Sequence, residues 1–446
     1  MHVNNPVNLI MNKKNNKISL VTLGCSKNLV DSELISGRLK KKGYNLVPED
    51  EADVIILNTC GFIGDAKKES ISTALELLEY KKSGNCKQFI LTGCLVERYS
   101  EQLKQEMPEI DGFWGTGNLH KIDELLDSPG IDFKNNPQGT LYDPDSPREL
   151  LTSSHSAYVK VSEGCSRTCT FCIIPKMRGL MKSRPIDSIK KEIEQLGDKG
   201  VREINLIAQD MTSYGRDIGT SLEKMLRVLS DIDNIDWLRL HYLYPWGVTD
   251  SLIELMSGDN KILPYIDMPL QHINDRMLKL MDRKTNRQKT INIIERLRTI
   301  PDLTLRSTFI VGFPGETEYE FEELLEFIEE FKFDRAGAFK YSQEEGTGAA
   351  LLEEQIEEDI KEIRLENLME LQSDISYQKN INLIGTTQKA IVDDLEDGKL
   401  VARLSSQAPE ADGITYLDII DESLVGEIVD IEITGCDIYD LHGTVI

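Results

Sequence analysis

Three short apolar runs near the start of the chain each close on a cysteine: ISLVTLGC (18–25), DVIILNTC (53–60) and QFILTGC (88–94). An amphipathic stretch follows each run, around Ser32 to Lys42, Asp65 to Lys81 and Arg98 to Glu106. Short continuous apolar runs alternating with helical patterns predict a parallel sheet buried on both faces. Residues 17–132 are therefore expected to form a three-layer α/β domain. Residues 133–153, rich in Pro, Asn, Asp and Ser, read as a linker, and the polar, Asn-rich residues 1–16 as a disordered tail.

From Tyr158 the alternation resumes and runs longer. Candidate strands are YVKVSEG (158–164), EINLIAQ (203–209), WLRLHYL (237–243), YIDMPLQ (265–271), LTLRSTFIVG (303–312) and AGAFKYS (336–342). Helical patterns such as IDSIKKEIEQLG (186–197) lie between them. Six βα units in a row predict a partial (βα)6 barrel over 154–380, with function at the C-terminal ends of its strands. A carboxylate-rich helix from about Glu353 to Gln378 leads away. Short strands punctuated by Gly, Asp and Pro then predict a small OB-like β-barrel over 381–446.

A chain of 446 residues fits three domains at roughly 150 residues each. Hydrophobic residues make up 40% and charged residues 28%, as in soluble globular proteins. No run approaches the ~18 to 20 apolar residues of a membrane span, and the polar N-terminus carries no secretory apolar core. A cytoplasmic protein is expected. The net charge of −25 argues against direct nucleic-acid binding, which draws on Lys and Arg to neutralise phosphates. The C-terminal segment 381–446 holds fourteen Asp or Glu against three Lys or Arg. Four of these carboxylates, Asp393, Asp394, Glu396 and Asp397, are expected to sit exposed in one turn between strands.

Eight cysteines in such a chain point to metal or redox chemistry rather than to disulfides. Cys165, Cys169 and Cys172 stand in a C-x3-C-x2-C knot directly after the first barrel strand. Soft thiolates favour zinc or iron–sulfur clusters. A structural zinc would need a fourth nearby ligand, and the nearest histidine, His155, precedes the strand. Three ligands on a four-iron cluster leave one iron open, a place where S-adenosylmethionine can chelate. Cys25, Cys60 and Cys94 lie too far apart for a local metal knuckle, yet each ends a strand of one parallel sheet, where strand termini converge. They are expected to carry a second cluster, whose open iron is available to a sulfur species. Cys86 and Cys436 read as bland thiols.

These stretches, EGCSRTCTFCIIPKMRG (163–179) with GCSKNLVDSE (24–33), NTCGFI (58–63), TGCLVERY (92–99), PLQH (269–272) and GFPGETE (312–318), resemble the methylthiotransferases of the radical S-adenosylmethionine superfamily over almost the whole chain. The resemblance implies two 4Fe–4S clusters, two molecules of S-adenosylmethionine with different tasks, and a C-terminal TRAM domain. One molecule methylates a sulfur at the Cys25/Cys60/Cys94 cluster. The other, cleaved at the radical cluster, yields a deoxyadenosyl radical that takes a hydrogen from an unactivated carbon. GCSKN and NTCGFIG resemble the branch that modifies an aspartate β-carbon of ribosomal protein S12. The transfer-RNA (adenosine) branch typically reads GCQMN-like and NTCSVRE-like at these places, and the acidic C-terminal domain also argues against tRNA. A non-catalytic iron–sulfur carrier is the more distant alternative, and a substrate-sized barrel speaks against it. The resemblance identifies neither the electron donor nor the sulfur donor.

Gln209, Asp210, Gln271, His272, Gly312 and Gly315 lie at strand ends facing the radical cluster and are candidates for holding S-adenosylmethionine. Against this, Gly312 to Gly315 also reads as a tight turn, and a lone histidine such as His272 is more often structural. Asn28 and Asp31 could shape the sulfur site or cap the following helix.

Overall fold

The computed structural model of the protein describes residues 17–84, 86–127 and 141–446. The expected tail and residues 133–140 of the expected linker lie outside them. The chain divides into two compact units. The first holds the described residues up to Leu151 together with Ile174–Leu180; the second holds Thr152–Ile173 and Met181–Ile446. Among the described residues no helix is long and apolar enough to cross a membrane.

The first unit is built on five strands, β1 (Lys17–Thr22), β2 (Asn45–Leu46), β3 (Val54–Thr59), β4 (Gln88–Gly93) and β5 (Gly112–Trp114). All pair in parallel, in the order β2-β1-β3-β4-β5. Side chains alternate across the sheet, so each apolar run serves two cores. On one face Ile55, Leu57, Phe89 and Leu91 pack with Ala74, Leu77 and Leu78 of helix α2 (Gly64–Lys82) and Leu95, Val96 and Leu103 of helix α3 (Cys94–Glu106). On the other, Ile18, Val54, Ile56 and Ile90 pack with Ile35 and Leu39 of the first helix, α1 (Ser26–Lys41). Each buried Val, Leu, Ile or Phe side chain here contributes about 1.5–3 kcal/mol. The three expected strands are β1, β3 and β4. The pairs at the sheet edges, β2 and β5, are two and three residues long, too short to show a period.

The second unit opens with β6 (Ser156–Lys160), followed by the small antiparallel pair β7 (Ser162–Glu163) and β8 (Lys182–Ser183). Then come β9 (Glu203–Ile207), β10 (Trp237–Leu240), β11 (Ile262–Asp267), β12 (Thr304–Val311) and β13 (Arg335–Lys340). The six long strands form one parallel sheet in the order β13-β12-β11-β10-β9-β6. Most stop a few residues before the apolar runs do. The overhanging residues, His241 to Leu243 and Met268 to Gln271 among them, build the loops at the C-terminal mouth.

A 24-residue helix, Glu358–Ile381, connects to a closed five-stranded barrel. Its strands are β14 (Thr387–Glu396), β15 (Lys399–Leu404), β16 (Thr415–Leu417), β17 (Ile428–Cys436) and β18 (Leu441–Val445). Ala390, Val392, Leu400, Ala402, Leu417, Ile431, Ile433 and Leu441 fill it. Outside that core, Ile391 and Ala408 join Trp237, Leu263 and Tyr265 of the six-stranded sheet.

One expectation for this domain needs correcting. Asp394, Glu396 and Asp397 are exposed, but Asp393 is not a free surface carboxylate. Its side chain is 19% exposed and is held by Arg403 Nε at 2.6 Å and by His155 Nε2 at 2.8 Å. Asp393 sits at a register shift in the β14–β15 pairing, and its side chain meets a buried arginine that requires a counter-charge. Only Asp397 lies beyond the strand.

Candidate functional site

In the first unit the strand order reverses between β1 and β3, the kind of switch point where parallel sheets gather ligands beyond their strand ends. Cys25 follows β1, Cys60 follows β3, and Cys94 follows β4 as the first residue of α3. The turns that carry them touch. Gly24 has a φ of +94°, and a Cβ there would stand 2.8 Å from Cys60 Cβ. Gly93, with φ +98°, leaves room for Asn58 Oδ1 and the Thr59 backbone, which a Cβ would meet at 2.5 Å. Glycine alone takes this backbone region without strain and permits such an approach.

Buried amides lock the turns together. Asn28 Nδ2 donates to Leu23 O (2.9 Å) and Thr59 O (3.1 Å), while Asn58 Nδ2 donates to Asn28 O and Ser32 Oγ (both 2.9 Å). Ser70 Oγ accepts from Cys60 N and donates to Cys60 O. Asn28 is therefore a tie between strand ends, not a helix cap. Arg178, at the end of the short helix Ile174–Arg178, reaches Asn28 Oδ1 (2.6 Å), Asp31 Oδ2 (3.1 Å) and Cys94 Sγ (3.6 Å). Neither the spacing nor the periodicity of the sequence marks Arg178, although it lies within the cysteine-rich stretch 163–179.

The three thiols differ. Burial pushes Cys94 up to about 12 and raises Cys60. Cys25 is exposed at the residue level, yet its thiol is partly desolvated. That desolvation raises its pKa, but Lys27, Arg178 and the backbone amides of Asn28 and Lys27 outweigh it, leaving the thiol below its ordinary value.

In the second unit Cys165, Cys169 and Cys172 lie on the loop after β7. Arg167 N donates to Cys165 Sγ at 3.4 Å, and Arg283 Nη1 reaches Cys169 Sγ at 3.6 Å. Both guanidinium groups stack on the Tyr244 ring, 4.1 and 4.2 Å from its centroid. Thr170 N donates to Met281 O, and Phe171 packs against a core of Met277, Met281, Phe313, Tyr341 and Ala349. Burial pushes Cys165 up to about 11.

The other predicted residues have distinct surroundings. Gln209 Nε2 donates to Glu163 Oε1 (2.9 Å), while its Oε1 is buried with no partner. Asp210 holds Arg167 Nε at 2.6 Å and accepts from Thr212 and Ser213. Gln271 has a φ of +75° and is clamped by its backbone to β12 through Thr308 O and Ile310 N. His272 is fully buried; Nδ1 accepts from Ile273 N and Asn274 N, and Nε2 faces Glu316 Oε1 at 3.1 Å. Gly312 N donates to Glu316 Oε2 (2.7 Å) and Gly315 N to Glu354 O (2.7 Å), so this turn is seated on protein. Sequence reasoning missed Arg167, Tyr244 and Arg283, which no motif spacing distinguishes from ordinary surface and core residues.

Among the described residues no three cysteine, histidine or carboxylate groups converge closely enough for a single metal ion. A four-iron cluster takes one thiolate per iron and so spaces its thiolates further apart. Each set offers three sulfurs, with an amide or guanidinium donor aimed at one of them, a donor chemistry that suits such a cluster. Bound iron removes the thiol protons that burial otherwise retains.

Comparison with known proteins adds three family matches: "Uncharacterized protein family UPF0004" over residues 17–115, the radical SAM superfamily over 159–328, and the TRAM domain over 384–446. Proteins named ribosomal protein uS12 methylthiotransferase RimO are similar along nearly their full length. The one from Syntrophotalea carbinolica is 46% identical, covering 96% of this chain and 97% of its own. That from Clostridioides difficile is 46% identical (96% and 99%), and that from Geobacter sulfurreducens 44% (98% and 100%). Among solved structures, the radical S-adenosylmethionine methyltransferase TsrM from Kitasatospora setae shares the fold, with a TM-score of 0.53 at 13% identity over 72% of each chain.

Proposed function

The chain belongs to the ribosomal protein uS12 methylthiotransferase family, and on that footing we propose that it attaches a methylthio group to the β-carbon of an aspartate in ribosomal protein uS12, using two 4Fe–4S clusters and two S-adenosylmethionine molecules. The observation that carries this reading is the delivery of Cys25, Cys60 and Cys94 to adjoining strand ends of one parallel sheet, in a chain that also bears the C-x3-C-x2-C loop. When bound, the clusters supply one-electron reduction of S-adenosylmethionine at the barrel loop and an open iron for sulfur at the N-terminal turns.

The protein's own residues do the holding and shielding. Cys165, Cys169 and Cys172 hold one cluster, and the Arg167 amide and Arg283 guanidinium offset charge on its sulfurs. Asp210 positions Arg167, and Tyr244 spaces the two arginines. Phe171 closes the side facing the core against water. Gln209 Oε1, an unpartnered buried acceptor, receives an N–H of S-adenosylmethionine, and Gln271 lies at the end of the β11 run, two strands along the sheet from β9. His272, Gly312 and Gly315 shape the mouth. The exposed carboxylates of 381–446 face a basic protein partner in the cytoplasm.

The test is anaerobic reconstitution with iron, sulfide, reductant, S-adenosylmethionine and uS12. Mass spectrometry should show one methylthio group on an aspartate, together with 5′-deoxyadenosine. A methylthio group on tRNA with uS12 unmodified would replace this acceptor with an adenosine, and the absence of 5′-deoxyadenosine would leave an iron–sulfur carrier.

A further inference from the structure

Arg178 lies six residues past Cys172 in sequence, yet its helix packs within the N-terminal unit. Its guanidinium is buried, 4% exposed, beside the equally buried Asn28, Asp31 and Cys94. The geometry is specific. Asn28 is tied to the carbonyls of Leu23 and Thr59, in the segments leading to Cys25 and Cys60, and its Oδ1 accepts from Arg178 at 2.6 Å. Asp31 supplies the counter-charge at 3.1 Å, and the Cys94 sulfur accepts at 3.6 Å. The same positive charge acts on all three thiols. A buried arginine is costly to hold unless its donors are all used, and here two of its partners belong to the cysteine turns.

We propose that Arg178 is a positioning residue that sets the charge balance, and with it the reduction potential, of the cluster on Cys25, Cys60 and Cys94, with Asp31 as its opposing charge. The proposal rests on the reading of those three cysteines as cluster ligands. A reduced cluster carries one more negative charge than an oxidised one. A fixed cation and a hydrogen bond to a ligating sulfur favour the reduced form, and both raise the potential. Asp31 acts with the opposite sign.

The experiment uses the full chain with Cys165, Cys169 and Cys172 replaced by Ala, so that only the N-terminal cluster is present, in a redox titration followed by electron paramagnetic resonance. In this background Arg178→Gln should lower the reduced-to-oxidised ratio at a given potential at least tenfold, ~59 mV for one electron. Arg178→Lys keeps the charge and should restore most of the shift. Asp31→Asn should move the potential the other way. An Arg178→Gln protein that holds its cluster at an unshifted potential overturns the proposal. If that variant loses its cluster, Asp31→Asn decides: an upward shift supports the proposal, and no shift or a downward one overturns it. A parent protein that binds no iron, before any change at Arg178, overturns the cluster assignment itself and the inference with it.

Discussion

Arg403 of the C-terminal barrel donates through Nη2 to Glu203, the first residue of β9, at 2.7 Å, and both side chains are buried. Arg239 contacts the other oxygen at 3.0 Å, and Asp393 with His155 completes the network. Burial pushes the Glu203 carboxyl up, but Arg403 and Arg239 more than reverse this and hold it well below the usual carboxylate range. The acidic domain is thus fastened to the six-stranded sheet by buried charge.

Replacing Arg403 with Met leaves Asp393 and Glu203 short of a partner in a dry site, a change that costs about 3–5 kcal/mol. Urea unfolding followed by circular dichroism should show the C-terminal half of the chain losing stability by this amount at neutral pH. Glu203 has a depressed folded pKa, so its contribution is present above the unfolded value of about 4.3 and fades as pH falls below it. The gap between wild type and Arg403→Met should therefore narrow below about pH 4. A gap independent of pH would show that the ion pair contributes little.

Two three-cysteine sets predict about eight irons per reconstituted chain, four to each cluster. Replacing Cys165, Cys169 and Cys172 with Ala should leave about half. Gly24→Ala, which presses a methyl group against Cys60, should remove mainly the other half. Iron and sulfide analysis checks both, and a wild type that never exceeds four irons rules out two clusters.

The two sets should also separate by activity. With Cys25, Cys60 and Cys94 replaced by Ala, the chain should still form 5′-deoxyadenosine while making no methylthiolated uS12. Chromatography of the nucleoside and mass spectrometry of the protein report the two steps independently. Normal product from this variant would remove the N-terminal cysteines from sulfur transfer.

For the acceptor, the informative substitutions are Asp394→Lys, Glu396→Lys and Asp397→Lys together, because all three side chains are exposed. Asp393 is left alone, since its loss would disturb the Arg403 network. Complementary charge mainly accelerates encounter and is screened over ~8 Å at physiological salt. The triple variant should associate with uS12 several-fold more slowly at low salt, and match wild type at high salt. Stopped-flow association across a salt series measures this. Equal rates at low salt would place the docking surface elsewhere.

The sequence alone determined the fold class and the places of the cysteines along it, because both are written in local signals. Apolar runs alternating with helical periods specify a parallel sheet whatever surrounds them, and Cys25, Cys60 and Cys94 stand at the ends of such runs. The C-x3-C-x2-C spacing is likewise complete within eight residues. What only the tertiary structure decided involves partners far apart in the chain. Arg178 meets Asn28 across 150 residues and Cys94 across 84, and Arg403 meets Glu203 across 200. No period encodes these pairings, since each depends on where strand order and helix packing bring the two backbones. The inward turn of Asp393 has the same origin: exposure of a carboxylate is the rule for an isolated strand, and a buried arginine from another element overrides it. β2 and β5 escaped notice for a simpler reason, because two or three residues at a sheet edge take their conformation from the neighbouring strand rather than from a pattern of their own.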